Sequence, residues 1–497
     1  MGEEFCAGKL DILLEILGHP AAFYNKMIEQ CGGALYNFSK EEIDGLTKIL
    51  PFSAPQKIKG GMYYDTPNDI NTFGFQAVMI ASSKVHPKSI LHMMNSAFGN
   101  LDKLHKIHPA LSTTNRGSMK QDLVTPRRNV MNNNSADGDI KRYPIETVRT
   151  QIENCLTAWG MTEANAKLTS EVMVDADTCG IDTHGISMLT VYHGRHRNNY
   201  ITLAAEPITV NETPVSALID AGGGLGYVAS IKATETAIAK AQQAGMAAVA
   251  VRNSAHFGAT GYYTRMMARK GLVGIATTSA VGRSVAPTFG KEPKFGTDPI
   301  AFAAPTKRNK IYSLDMATTT VARGKIRNKY NEGQPVPVGW VNDKDGNPTT
   351  DPVLLIDDQG GTQTPLGGTR ESGSHKGYGL GMMVNILSCA FSGARIMTGE
   401  LANKQPVPGT MDVGHFFLAI DPKIFAPDRP FEEAVDEMID DLHATIPVDP
   451  NQPVLVAGEP EDIIRAEREK SGIPIPPGLR GKIEEVCRDS NAEFLLT

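Results

Sequence analysis

The chain has 497 residues, room for more than one domain, and its 41% hydrophobic and 21% charged residues are those of a globular protein, not a disordered one. A formal net charge of −6, spread without a basic block, argues against nucleic acid or an anionic membrane as a partner. Six cysteines without a C-x-x-C pair exclude a disulfide scaffold: Cys155, Cys179, Cys389 and Cys487 read as reduced cytoplasmic thiols, whereas Cys6 and Cys31 could pair if their segment were exported.

Residues 1–118 mix helical and extended signals. Leu10, Leu13, Leu14 and Leu17 recur at helical spacing, as do Ile90, Leu91, Met94 and Phe98 within 89–100. Glu3 and Glu4 stand where a signal peptide needs basic and then apolar residues, so export is not expected. Residues 119–141 hold Pro126, Arg127, Arg128 and the triplet Asn132-Asn133-Asn134, have little to bury, and read as a polar linker.

From residue 142 onward α and β signals alternate. Val148, Ile152, Leu156 and Trp159 line one helix face; Ala164, Leu168 and Val172 line the next, with Thr162 as its N-cap. A helical pattern over 230–244 stops at Gly245 and gives way to the apolar run Met246 to Val251. The arrangement repeats: a helix to about Lys270, a stop at Gly271, and a strand from Leu272 to Thr278. Helix, glycine and strand twice over predict an α/β domain. The most apolar stretch, Leu380 to Phe391, is too short for a membrane span and is broken by Asn385 and Ser388.

Two histidines could carry chemistry. His184, in Asp182-Thr183-His184-Gly185, is a titratable ring on a turn; it could exchange a proton with a substrate oxygen, or merely cap a neighbouring helix. His256, in the polar run Arg252 to Gly258 that leaves a buried strand, lies where α/β proteins place their chemistry, though a histidine satisfied by its own loop would look the same. The glycines 222–224 and 226 match a dinucleotide fingerprint weakly, since about twenty residues on stands the apolar run around Ala247 without an acidic residue, and they read as a tight turn near the site. His375-Lys376-Gly377, ahead of an apolar helix from Leu380, could seat a phosphate or carboxylate. His193 and His196, flanked by Arg195 and Arg197, read as a solvated helix face and not as metal ligands.

In this order the runs resemble one family. From about Tyr143 to Glu485 the chain resembles the malate/L-lactate dehydrogenases, through Gly180 to Gly185, Arg252 to Gly258 with Gly261-Tyr262-Tyr263, Gly296 to Ile300, Asp315 to Thr318 and Arg323-Gly324-Lys325. His375 to Gly379, Gly414 to Phe417 and Gly458-Glu459-Pro460 complete the set. The resemblance implies an α/β, non-Rossmann NAD(P)-binding fold and a homodimer with the cofactor near the subunit contact. It also implies hydride transfer between NAD or NADP and the α-carbon of a small 2-hydroxy or 2-keto acid. Reduction of a cyclic imine acid is the alternative within the family.

The resemblance makes His184 a proton donor assisted by Thr183 and Asp315, or else His256 the acid–base residue. Cofactor contacts would come from Ser279, Asp315, Met316, Ala317, Lys376, Gly458 and Glu459. Met188 stands where many relatives carry a substrate-binding arginine, which leaves Arg195, Arg252 and Arg283 as candidates to hold the acid group.

The first part resembles the C-terminal portion of a TAXI-type solute receptor of TRAP transporters. The resemblance rests on Glu4 to Asp11, Gly18-His19-Pro20, Gly60 to Tyr63, Asn100-Leu101-Asp102 and His108 to Leu111. Such receptors are exported and two-lobed. The implied organisation is a partial α/β receptor lobe (1–118), a linker (119–141) and an enzyme (142–497), joined by gene fusion or an error in the reading frame. A solute-binding protein is the rival from another functional class.

Overall fold

Two units make up the chain, Met1–Asn132 and Asn133–Thr497. The computed structural model describes residues 6–7, 22–49, 53–75, 140–280, 282–396, 411–425 and 427–497. The helical patterns at Leu10 to Leu17 and at 89–100, and the linker up to residue 139, lie outside the described residues.

In the first unit, helices α1 (Ala22–Cys31) and α2 (Lys40–Ile49) precede an antiparallel pair, β1 (Ser53–Ile58) and β2 (Ile70–Phe75). A capping box starts α2: Glu42 N–H donates to Ser39 Oγ at 3.2 Å while Ser39 N–H donates to the Glu42 carboxylate at 2.8 Å. Ile28, Ile58 and Tyr63 form its small core. Cys6 and Cys31 are joined in a disulfide, the pairing that composition left conditional on export.

The second unit opens with β3 (Lys141–Tyr143), then α3 (Ile145–Ala158), which buries Val148, Ile152 and Leu156 as its spacing predicts. Burying each of these is worth about 1.5–3 kcal/mol. Helix α4 (Glu163–Thr178) starts where expected, with Thr162 Oγ1 accepting from Asn165 N–H at 3.3 Å. Its buried face is the expected one only in part. Val172 is buried and Leu168 packs on the core as expected, but Ala164 is exposed, and the inward stripe also takes in Asn165, Thr169, Ser170 and Asp177. Asn165 donates to Glu206 at 2.8 Å and Ser170 to Glu153 at 2.7 Å, so these polar groups are buried because they are satisfied.

Next come α5 (Leu189–Arg197), β4 (Ile208–Thr213), β5 (Ser216–Asp220), α6 (Gly226–Ala244), β6 (Met246–Ser254), α7 (Gly261–Ala268) and β7 (Val273–Thr278). Both predicted helix–glycine–strand units are present. Gly245 ends α6 in the left-handed region (φ 87°), its N–H on Ala241 O.

Strands β8 (Ile300–Ala304) and β9 (Tyr312–Met316) lead to α8 (Arg323–Asn331). A three-stranded patch of β10 (Val341–Asn342), β11 (Pro348–Thr349) and β12 (Thr362–Gln363) follows, with α9 (Val353–Ile356) inside it. Helix α10 (Ser374–Asn385) begins earlier than its apolar residues suggest, so His375 and Lys376 lie in its first turn and not ahead of it. After β13 (Val413–Ile420) the chain ends in α11 (Phe431–His443), α12 (Glu459–Ser471), β14 (Ile473–Ile475) and α13 (Pro477–Ser490). Strand β14 pairs with β3, fastening the start of the unit to its end.

The central sheet runs β4-β5-β6-β13-β7-β8-β9. Its β5/β6 pair is parallel and its other neighbours are antiparallel. Register decides where chemistry can gather. Val413 faces Ser254, His415 faces Thr278, Thr277 faces Ile300 and Ile300 faces Met316. The ends of β6, β7 and β9 and the starts of β8 and β13 therefore meet along one edge of the sheet. Among the described residues no helix is long and apolar enough to cross a membrane.

Candidate active site

The turn after α4 carries His184 and is clamped from two sides. Arg468 of α12 grips Asp182 through both terminal nitrogens, one at 3.1 Å from Oδ2, and also donates to the Asp177 carbonyl. Asp177 is buried beneath the turn and accepts the Ile186 N–H at 2.8 Å; burial pushes its carboxyl up to about 8. A Cβ at Gly185 would come within 1.8 Å of Asp177 Oδ1, which is why glycine follows the histidine. Thr183 Oγ1 lies 2.9 Å from His184 Nδ1 and leaves Nε2 without a bond among the described residues. Burial holds the pKa of His184 down at about 4.

His256 leaves β6 at the same sheet edge. The glycine turn is its neighbour: Gly226 N–H donates to His256 O at 3.0 Å, and a Cβ at Gly226 would stand 2.6 Å from Ala255 O and 2.9 Å from His415 Nε2. His256 Nδ1 is 2.6 Å from the Tyr192 hydroxyl, itself 2.8 Å from that of Tyr227. Gly258 N–H, 3.4 Å from the same Nδ1, can only donate, so Nδ1 accepts and the neutral ring carries its proton on Nε2. Burial raises both tyrosines above their ordinary range and keeps them protonated. Burial, followed by the fields of His184 and Arg195, pushes His256 well below its ordinary value. The His184 and His256 rings lie 5.3 Å apart, interplanar angle 29°. The structure thus brings the two candidates together.

Sequence reasoning did not find Tyr192 or the role of His415. His415 stacks under Phe257 at 4.4 Å, with Thr278 Oγ1 2.7 Å from Nδ1 and Ser254 Oγ 2.8 Å from Nε2. Both its nitrogens are occupied and burial holds it at about 3, so it supports the loop and exchanges no proton. Asp298 was also missed as a positioning residue. Fully buried and pushed up to about 6 by burial, it accepts Ala280 N–H at 2.8 Å and Gly296 N–H at 3.1 Å. Its only sequence signal was its place in the Gly296 to Ile300 run.

Asp315 closes the far end of the His256 loop, accepting Gly261 N–H at 2.7 Å. The surrounding protein raises its carboxyl above the usual range although Gly261 and Arg265 pull it back. Met316 and Ala317 continue from it. Gly458 (φ 100°) rests against Ser313 on the same strand, and Ser313 N–H donates to Ala457 O at 3.1 Å. The Glu459 side chain is held by Val456 N–H at 2.9 Å and His443 at 3.0 Å. Ser279 pairs with Gly414 through its N–H at 3.1 Å and its Oγ at 3.2 Å. Lys376 is exposed on α10, whose Gly381 packs against Thr318, three residues past Asp315. A Cβ on Gly324 would meet Thr183 Cγ2 at 3.1 Å, so the start of α8 abuts the His184 turn.

The three candidate arginines part company. Arg252 Nε is paired with Asp220 at 3.1 Å. Arg283 borders a surface cavity of about 520 Å³ with Glu292, Pro293 and Lys294, and neither histidine lines it. Arg195 lies one turn beyond Tyr192 on α5. Met188 is packed against the main core. His193 and His196 are not a merely solvated pair: both stack on Trp159, at 5.7 and 5.9 Å.

Residues 143–484 match the family model described as malate/L-lactate dehydrogenase, and residues 1–129 match one described as NMT1-like. The chain is 36% identical over 360 residues to a malate dehydrogenase of Pyrococcus horikoshii, covering 72% of this chain and 98% of that protein. It is 36% identical over 344 residues to an L-sulfolactate dehydrogenase of Methanocaldococcus jannaschii, covering 69% and 96%. Among solved structures, malate dehydrogenase from Entamoeba histolytica superposes with a TM-score of 0.67 at 33% identity, over 71% of this chain and 99% of that one. A Δ1-piperideine-2-carboxylate reductase from Pseudomonas syringae gives 0.61 at 27% identity, over 70% and 99%. Its second unit makes this chain a member of the malate/L-lactate dehydrogenase family.

Proposed function

We propose that the second unit is an NAD(P)-dependent dehydrogenase that moves a hydride between nicotinamide and the α-carbon of a small 2-hydroxy or 2-keto acid. The observation that carries this reading is the histidine pair, rings 5.3 Å apart, each with Nδ1 engaged by a hydroxyl and Nε2 without a bond among the described residues. With Thr183 Oγ1 accepting from Nδ1–H, His184 presents a lone pair on Nε2. It takes the hydroxyl proton in oxidation and returns it in reduction. His256, with its proton on Nε2, donates to the same oxygen and stabilises the charge that develops there. Asp315 holds the far end of the His256 loop.

The residues fit a dinucleotide. Gly458 brings bare backbone against Ser313, two residues before Asp315, and Lys376 places a cation in the first turn of α10, where the helix dipole opposes it unless an anion is present. Ser279, Asp315, Met316, Ala317, Lys376, Gly458 and Glu459 would hold NAD or NADP, which when bound accepts or supplies the hydride. The mostly antiparallel sheet supports a non-Rossmann mode of binding. A cytoplasmic homodimer is part of the same reading.

A panel of 2-keto acids with NADH and NADPH, followed by nicotinamide absorbance, tests it. Turnover of at least one acid is expected; no turnover of any acid contradicts it. The likeness to the piperideine-carboxylate reductase favours a cyclic imine acid as the alternative substrate, and the same panel includes one.

For the first unit we propose a remnant of a TAXI-type solute receptor spanning 1–118, linked through 119–141. The NMT1-like match and the Cys6–Cys31 disulfide, a bond typical of exported proteins, support it.

A further inference from the structure

A guanidinium stays charged at every accessible pH, and a charge taken out of water without a partner is unfavourable. Arginines drawn at least partly out of water in the second unit show this: Arg265 and Arg465 share Asp175, and Arg468 grips Asp182. Arg195 does not. The residue is half-buried, and among the described residues its enclosed Nη1 has no hydrogen-bond partner and no carboxylate pairs with it. Arg323 also has an unpartnered Nε, but its Nη2 reaches Leu355 O at 3.5 Å and Asp358 at 3.9 Å.

The place of Arg195 says what the missing partner is. It lies three residues after Tyr192 on α5, hence on the same helix face, and the Tyr192 hydroxyl is 2.6 Å from His256 Nδ1. We infer that Arg195 is the anchor for the substrate's carboxylate, binding a small 2-hydroxy or 2-keto acid by its acid group beside His256. The inference rests on the dehydrogenase reading and names the residue that selects acids over uncharged ketones. A carboxylate seated there supplies the missing counter-ion. It also cancels the Arg195 field that, after burial and the field of His184, helps hold His256 neutral, so binding of the acid strengthens the proton affinity of His256.

The test uses the full chain and compares a 2-keto acid with its ethyl ester, wild type against Arg195→Met, with NADH affinity read by fluorescence. The expected result is a loss of about 100-fold in kcat/KM for the acid, a change of less than about tenfold for the ester, and unchanged NADH affinity. An acid-to-ester preference that survives Arg195→Met overturns the inference while leaving the dehydrogenase reading intact. Oxamate binding by calorimetry needs no turnover. If the wild type reduces no acid, the dehydrogenase reading fails, and Arg195 still stands or falls as an anion site by whether Arg195→Met abolishes oxamate binding. Should Arg195→Met not fold, Arg195→Lys keeps the charge without the planar fork. About tenfold weaker oxamate binding is then expected, and unchanged binding overturns the inference.

Discussion

His184 and His256 are both held neutral near pH 7, which sets the direction in which each half-reaction is limited. Oxidation of a hydroxy acid needs the neutral imidazole, so its kcat/KM should stay level from neutrality down to about pH 5 and fall as His184 protonates near 4. Reduction needs the protonated ring, so its kcat/KM should fall about tenfold per pH unit above that pKa. Measuring both directions over one pH range checks the signs; a reduction rate independent of pH would exclude His184 as the donor. Both histidines were legible in the sequence because each sits in a short polar run at the end of an element. Tyr192 was not, because the bond that fixes His256 spans 64 residues and only the fold brings its ends together. His415 and Thr278 are likewise 137 residues apart.

At the level of elements, glycine stops were the most readable signal, since Gly245 both ends α6 and has a φ that other residues rarely adopt. The inward face of α4 was read only in part, Leu168 and Val172 but not Asn165 and Ser170, because these two are polar by type yet buried with partners, which periodicity of apolar residues cannot register. The glycine run forms a turn against the His256 loop, where Gly226 N–H donates to His256 O, and its position explains Gly226. A Gly226→Ala methyl would collide with Ala255 O and with Phe257 Cβ at 2.7 Å, backbone and rigid side chain of the His256 loop. This substitution should cost about 1–3 kcal/mol and lower turnover more than cofactor affinity. Thermal melts with steady-state kinetics check it, and an unchanged kcat would mean that the loop does not depend on this close approach.

For the whole molecule, the match over 143–484 and the closure of β3 on β14 describe a second unit complete in its own core. Removing residues 1–139 keeps Lys141 paired with Ile475 and should leave kcat and KM within about twofold of the full chain, a ratio worth under ~0.5 kcal/mol. Insoluble protein, or a large loss of activity in the truncated chain, would instead give the first unit a part in the enzyme. The overall class was legible because eight short runs recur in order over the second unit. The sheet order was not, since β13 inserts between β6 and β7 from far along the chain.

The histidine pair is the claim on which the rest depends, and single-turnover reduction of a 2-keto acid by NADH in His184→Ala and His256→Ala tests it most directly. Each variant should bind NADH as the wild type does and transfer hydride roughly 10²–10⁴-fold more slowly. Wild-type hydride transfer in both variants would contradict the account.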